Sequence, residues 1–292
     1  MSQADMKLPQ MRPLGGTSRK DAWWLQSTLT ALGLLAFIVY ATWAAMQGVH
    51  YFVSGVEGDS LHRHYLSPVY SPVLFDSAQL KAQGISSGHA WFGAWPDWLP
   101  AMLLGVFPLT PAFLILWAPG GFRVTCYYYR GAYYKAFWAD PPGCAVGEPG
   151  FRGKRYRGEK KFPLIFQNVH RYFLYLAIIF IGLLTYDALL SYWFTDPVTH
   201  KGRVGLAVGS IVLTINPILL GGYTFGCHSL RHLIGGRKNS MGAGAQRKAY
   251  DCVSCLNKSH MRFAWASLFW VGFTDLYVRM VSMGVWTDWR IF

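Results

Sequence analysis

Charge is what this 292-residue chain has least of: Asp, Glu, Lys and Arg make up 14% of it, against roughly 25% in a soluble domain. Acidic residues are the scarcest, 14 against 27 Lys and Arg, giving a formal charge of +13. Internal repeats and low-complexity tracts are absent, while 13 Trp, 17 Tyr and 19 Phe are present. Such a composition excludes a disordered chain and a collagen-like or coiled-coil fibre. No G-x-G-x-x-G opens a helix, and there is no Walker loop, G-x-S-x-G or H-E-x-x-H, so the common nucleotide, serine-hydrolase and zinc-protease sites are missing. The basic excess does not point to nucleic acid, which needs a footprint on one compact surface. Here the basic residues lie between long apolar stretches.

Those stretches define the class. Five runs are apolar and long enough for a hydrocarbon layer of about 30 Å, which takes about 20 helical residues. They lie near 24–47, 98–118, 164–191, 205–225 and 264–283. The chain is therefore read as an all-α integral membrane protein: a short tail over 1–21, then one domain over 22–292 with five transmembrane helices in a bundle. Pro108 and Pro111 in the second run and Asn216-Pro217 in the fourth predict kinks. The first run exceeds the h-region of a cleavable signal, about 7–15 residues, and no A-x-A-like cleavage site stands out.

Lys and Arg orient the bundle. The tail and the 2–3 and 4–5 connections hold 19 of the 27 basic residues, and the opposite side with its helix ends holds six. By the positive-inside rule the N-terminus is cytoplasmic and the C-terminus outside, with anionic lipid headgroups as the default partner of the charge. The connection from Gly48 to Asp97 is then an ordered outer loop. Its Trp91, Trp95 and Trp98 suit an interfacial aromatic belt. On the inner side, Tyr127-Tyr128-Tyr129 and Tyr133-Tyr134 suit an amphipathic interfacial segment.

With this threading the metal-ligand residues segregate. All five cysteines fall at the cytoplasmic face: Cys126 and Cys144 between spans 2 and 3, Cys227 after span 4, Cys252 and Cys255 before span 5. His170, His228, His232 and His260 join them, and the other five histidines lie outside. Each residue alone has an ordinary reading. A cytoplasmic cysteine is commonly a reduced, buried small hydrophobe, and an interfacial histidine commonly a headgroup contact or helix cap. Cys252-x-x-Cys255 lacks the second half of a zinc pattern and is read as unmetallated. Grouped on one face, the rest leave a redox centre and plain packing both open. Two centres are chemically possible. Haem b needs two facing axial histidines, such as His170 with His228 or His260. A Rieske-type [2Fe–2S] cluster needs two thiolates and two imidazoles. A transporter or cofactor-free scaffold is the competing class, with Asp187 and Asp275 the carboxylates nearest the membrane interior. Against it, no inverted repeat is visible.

Several motifs resemble a known family. Arg123-x-Thr125-Cys126-Tyr127-Tyr128-Tyr129-Arg130, Phe137-Trp138 and Pro141-Pro142-Gly143-Cys144 are followed by Gln167-Asn168-x-His170-Arg171-Tyr172. Cys227-His228-Ser229-x-Arg231-His232, His260-Met261 and Thr274-Asp275 continue in order, with Tyr65-Leu66-Ser67-Pro68-x-Tyr70-Ser71-Pro72 in the outer loop. Over roughly residues 22–292 this pattern resembles the single-chain, five-helix membrane anchor of actinobacterial-type succinate:quinone oxidoreductases.

The resemblance implies a subunit of the bacterial cell membrane. It docks a flavoprotein and an iron–sulfur subunit and passes electrons to menaquinone. The whole complex can also form a higher oligomer. Succinate oxidation is excluded from this chain, whose longest soluble segment, about 50 residues, cannot hold a flavin domain. A Rieske-type [2Fe–2S] cluster is implied, with its ligands among Cys126, Cys144, Cys227, His170, His228, His232 and His260; haem b is the alternative. For quinone, Tyr127, Arg171 and Arg262 are candidates, since a reduced quinone oxygen needs a phenolic or charged donor near the interface. Arg171 and Arg262 are also open to a snorkelling explanation.

Overall fold

The structure is a computed structural model that describes residues 21–56, 59–138, 164–236 and 238–292. The tail, Cys144 and the basic run 152–161 lie outside the described residues. Chain contacts define two units, residues 1–36 with 126–165 and residues 37–125 with 166–292.

Helix α1 covers Trp23–Gln47 without a charged residue, and strands β1 (Phe52–Val53) and β2 (Tyr65–Leu66) pair antiparallel after it. A short helix α2 (Ala78–Ala82) and a hairpin of β3 (Met102–Leu103) and β4 (Phe107–Pro108) precede α3 (Pro111–Ile115), α4 (Trp117–Thr125) and α5 (Tyr127–Trp138). A 3-10 turn at Leu164–Val169 leads into α6 (His170–Leu190), followed by the β5 (Trp193–Thr195) and β6 (Gly202–Val204) hairpin and α7 (Val208–Phe225). Helices α8 (His228–Gly235), α9 (Ala245–Lys258) and α10 (His260–Ser282) complete the chain.

Among the described residues three helices, α1, α6 and α7, are both long and apolar enough to cross a membrane. α10 has the length, 23 residues, but carries Arg262, Asp275 and Arg279. The second expected span differs most. Residues 98–118 do not form one kinked helix; a β-hairpin occupies their first half. Pro108 and Pro111 lack the N–H a helix needs, and each pushes its predecessor out of the helical region. Thr110 is accordingly extended (φ −117°, ψ 164°), and the helix starts with Pro111 in its first turn, where the missing donor costs nothing. It then continues through α4 to Thr125, past the expected end. At about 1.5 Å per residue, α3 and α4 together reach roughly 22 Å.

Within the larger unit, α7 packs against both α6 and α10, and α4 packs on α6. α7 is the most buried of the apolar helices. Small residues allow the close approach, as expected where dispersion rather than water drives helix association: a side chain at Gly222 would overlap the Phe263 ring of α10.

The segment Gly48–Trp95 folds as a cap over one end of this unit. Its eight residues 65–72 bind three different helices or their flanks. The Tyr65 hydroxyl donates to Asp288 at 2.8 Å, just past α10. Ser67 donates to Asp275 of α10, and Ser71 to Asp187 of α6. Tyr70 lies 2.9 and 3.1 Å from the carbonyls of Ala44 and Ala45, which end α1 and have no partner further along the helix. Arg279, ion-paired with Asp275, donates to the Ala44 carbonyl at 3.2 Å and the Val49 carbonyl at 3.0 Å. The two carboxylates expected nearest the membrane interior are thus both tied to serines of the cap. Asp288 is the other polar centre. It takes Arg63 at 2.6 Å, Tyr277 at 2.7 Å and the Gly209 N–H at 2.8 Å, all buried.

Two outcomes follow for the cap. Asp288→Ala breaks a buried ion pair, leaves Arg63 to Asp59, and takes the acceptor from Tyr65, Tyr277 and the Gly209 N–H. The loss is about 3–5 kcal/mol for a broken buried pair, so the purified protein should melt well below the wild type. Asp97→Ala, which removes the exposed Lys81–Asp97 pair, should leave the melting temperature in place. Acid should also loosen the cap. Burial first, then the neighbouring His64, lowers the His89 pKa from 6.5 to about 4, with Asp76 opposing. The unfolded chain therefore takes up a proton at His89 that the folded cap refuses. Stability is complete above pH 6.5 and falls as pH drops from 6.5 toward 4. Melting curves across that window should show a shallower acid slope for His89→Phe than for the wild type.

Candidate functional site

Opposite the cap, the ends of α4, α6, α7 and α10 meet in a layer of rings. Phe122 of α4 stacks on His170, the first residue of α6, with centroids 4.6 Å apart and planes 7° from parallel. Tyr223 of α7 meets Phe122 edge-on at 5.4 Å and stacks on His260, the first residue of α10, at 5.0 Å. The Arg123 guanidinium covers the Tyr223 ring at 4.9 Å and donates to Ser267 Oγ at 3.0 Å and the Ala264 carbonyl at 3.3 Å. α4 can lie this close to α6 because residue 121 is glycine; a Cβ there would overlap the Phe173 ring.

His170 is buried and its ring is oriented from both sides. The Thr125 hydroxyl donates to the Gly121 carbonyl at 2.7 Å and sits 2.9 Å from His170 Nδ1. With its one proton committed to the helix, Thr125 accepts from Nδ1–H. Nε2 then carries the lone pair, and Cys227 Sγ lies 3.0 Å from it. A metal at this pair would need the cysteine as thiolate and the imidazole neutral. An imidazole fixed through its other nitrogen is the usual outer-shell arrangement of a metal ligand. The donor chemistry here fits a metal held by thiolate and imidazole.

The other expected ligands are distributed differently. Cys227 precedes α8, whose His228 and His232 are one turn apart with rings 4.5 Å apart, both exposed. They form their own pair. His260 stacks on Tyr223, which in turn meets Phe122, the ring stacked on His170. Cys126 belongs to the other unit, where its carbonyl accepts from the Arg130 N–H at 2.9 Å. Cys144 is outside the described residues. Among the described residues, no three His, Cys, Asp or Glu are arranged to hold a metal ion. Cys252 and Cys255 are exposed on α9 and form no disulfide.

Of the quinone candidates, Tyr127 is exposed in the first turn of α5 with Arg130 over its ring at 4.7 Å. Arg171 and Arg262 are exposed rather than buried. Both lie in the first turn of a helix, α6 and α10, that a histidine opens. Sequence reading missed Phe122, Arg123, Thr125 and Tyr223 as site residues. Thr125 stood beside Cys126 in a recognised motif, which is the signal that could have found it.

The family model for the actinobacterial succinate dehydrogenase subunit SdhC matches residues 25–284. The chain belongs to this family. It is also similar to a solved structure described as the Mycobacterium smegmatis Sdh1 complex in the apo form, with 39% identity, a TM-score of 0.77 and 96% of each chain covered. No curated protein matches it. Membership of the SdhC family speaks against the transporter reading and makes this chain a membrane subunit of succinate dehydrogenase, an oxidoreductase.

The Thr125–His170 bond has a direct consequence. Thr125→Val leaves a buried ring N–H without an acceptor, which costs about 1–3 kcal/mol, whereas Thr125→Ser keeps it. Thermal melting of the purified protein should rank wild type and Thr125→Ser together and Thr125→Val below both.

Proposed function

We propose that this chain is the membrane anchor of a succinate dehydrogenase and carries electrons from its iron–sulfur partner to menaquinone. The observation that supports this most is the His170–Cys227 pair, buried at one bundle end with Nε2 and Sγ 3.0 Å apart. The Lys and Arg distribution puts that end at the cytoplasmic face, where soluble flavoprotein and iron–sulfur subunits would dock. In this reading the five crossings are α1, α3 with α4, α6, α7 and α10, the N-terminus is cytoplasmic and the cap faces outside.

The ligands we assign to a Rieske-type [2Fe–2S] cluster are two of Cys126, Cys144 and Cys227 with two of His170, His228, His232 and His260. When bound, such a cluster supplies one-electron transfer at a potential raised by its imidazoles. The chain's residues hold and orient it. His170 and Cys227 are ligands, Thr125 keeps Nε2 available, and the stacked Phe122 and Tyr223 exclude water. A thiol against Nε2 favours the cluster over bis-histidine haem b, in which cysteine has no part. Quinone near the interface would find donors in Tyr127, Arg171 and Arg262.

Co-purification and spectroscopy test this together. The tagged chain should bring down a flavin-containing partner, and the dithionite-reduced complex should contain acid-labile sulfide and a Rieske-like paramagnetic signal. Cys227→Ser and His170→Ala should lose that signal while the flavin partner stays bound. A haem α-band without the signal would overturn the cluster assignment.

A further inference from the structure

The hairpin that replaces the first half of the second expected span is apolar and unusually exposed. Leu104 at its tip is 89% exposed, and Trp98, Met102, Leu103, Val106 and Phe107 are each more than 40% exposed. No charged residue occurs from Trp98 to Phe122. The charged boundary lies just before it, where Asp97 pairs with Lys81 at 2.6 Å in the open.

The turn itself is built against its sequence. Val106 N–H donates to the Leu103 carbonyl at 3.1 Å, and both central residues have positive φ, Leu104 at 51° and Gly105 at 69°. Asn-Gly is the usual occupant of such a turn, because a branched side chain is strained at positive φ. Leucine at position 104 relaxes nothing in the turn and, 89% exposed, is left uncovered by the described residues. An apolar surrounding outside the chain is what makes its side chain favourable.

The position of the hairpin says what that surrounding is. Thr110, directly after it, donates to the Ala45 carbonyl in the last turn of α1. The hairpin therefore ends at the level where α1, an apolar helix without a charged residue, leaves the hydrocarbon. A two-stranded ladder has open edges and is excluded from the lipid core, but at the interface water and headgroups satisfy those edges while the tip reaches acyl chains. A protein partner fits less well. The six exposed residues fall far short of the roughly 20–30 a side of a stable interface.

We propose that the Ala101–Leu109 hairpin is a lipid-inserted anchor that dips Leu104 and its neighbours into the acyl-chain region and ties the cap to the bilayer surface. This assignment needs only the membrane setting and is independent of the redox reading. The test is spin-label accessibility on the full chain in vesicles of phosphatidylcholine and phosphatidylglycerol. Leu104→Cys and, separately, Val106→Cys are labelled in a Cys252→Ser, Cys255→Ser background. Val198→Cys, on the charged and exposed β5–β6 turn at the cap end, is the water-facing reference. Insertion gives an oxygen-to-nickel-chelate accessibility ratio several-fold higher at 104 and 106 than at 198. A ratio equal to that at 198 places the hairpin in water and overturns the proposal. Protection from both reagents means that protein covers the hairpin, as in a dimer of this chain, and overturns it equally.

Discussion

Four hydroxyls from one eight-residue segment hold the cap end of the larger unit together. Tyr65, Ser67, Tyr70 and Ser71 reach Asp288, Asp275, the last carbonyls of α1, and Asp187. In a membrane each of these acceptors would otherwise be a buried charge or an orphan carbonyl, at a cost of several kcal/mol each. Satisfying them from one short segment fixes the height of α1, α6 and α10 relative to one another. The opposite ends of α6 and α10 are then fixed too, because the helices are rigid over this length. His170 and His260 open those two helices, so the ring layer inherits its geometry from bonds made at the far end.

The two ends use polar groups in opposite ways. At the cap end every carboxylate named here is matched by a hydroxyl, a guanidinium or a backbone N–H, which is the signature of structure. At the other end aromatic rings surround the polar groups, and the His170 imidazole keeps its second nitrogen against a thiol. A centre there would be shielded from water by Phe122 and Tyr223 and held by residues whose orientation is set before it binds. Such preorganisation suits electron transfer, in which the protein's task is to hold a cofactor still and tune it.

Much of this was legible in the sequence. The runs near 24–47 and 205–225 coincide with α1 and α7 to within a few residues, because apolar length decides them, and the run near 264–283 overlaps α10 in spite of its three charges. The 98–118 run misled. Hydropathy cannot tell an exposed apolar hairpin from a helix, and only the spacing of Pro108 and Pro111 carries the difference. The clustering of His170 and Cys227 followed from placing each at a helix end on the same face. His228 and His232 share that face but turn outward, which their four-residue spacing could not show. Illegible altogether were the partners of Asp275 and Asp288. Tyr40 lies 235 residues from Asp275, and Arg63 lies 225 from Asp288, and no local pattern announces such pairs. Thr125 was hidden for another reason, since a threonine in a motif has no chemistry of its own until the ring it orients is seen.

The central claim is that electrons pass through this chain at the His170–Cys227 end. The most direct measurement mixes succinate with the purified complex and follows flavin, the reduced centre and menaquinol in one rapid-kinetic experiment. Our account predicts that His170→Ala still allows succinate to reduce the flavin but yields almost no menaquinol. Menaquinol formation at the wild-type rate in that variant would contradict it.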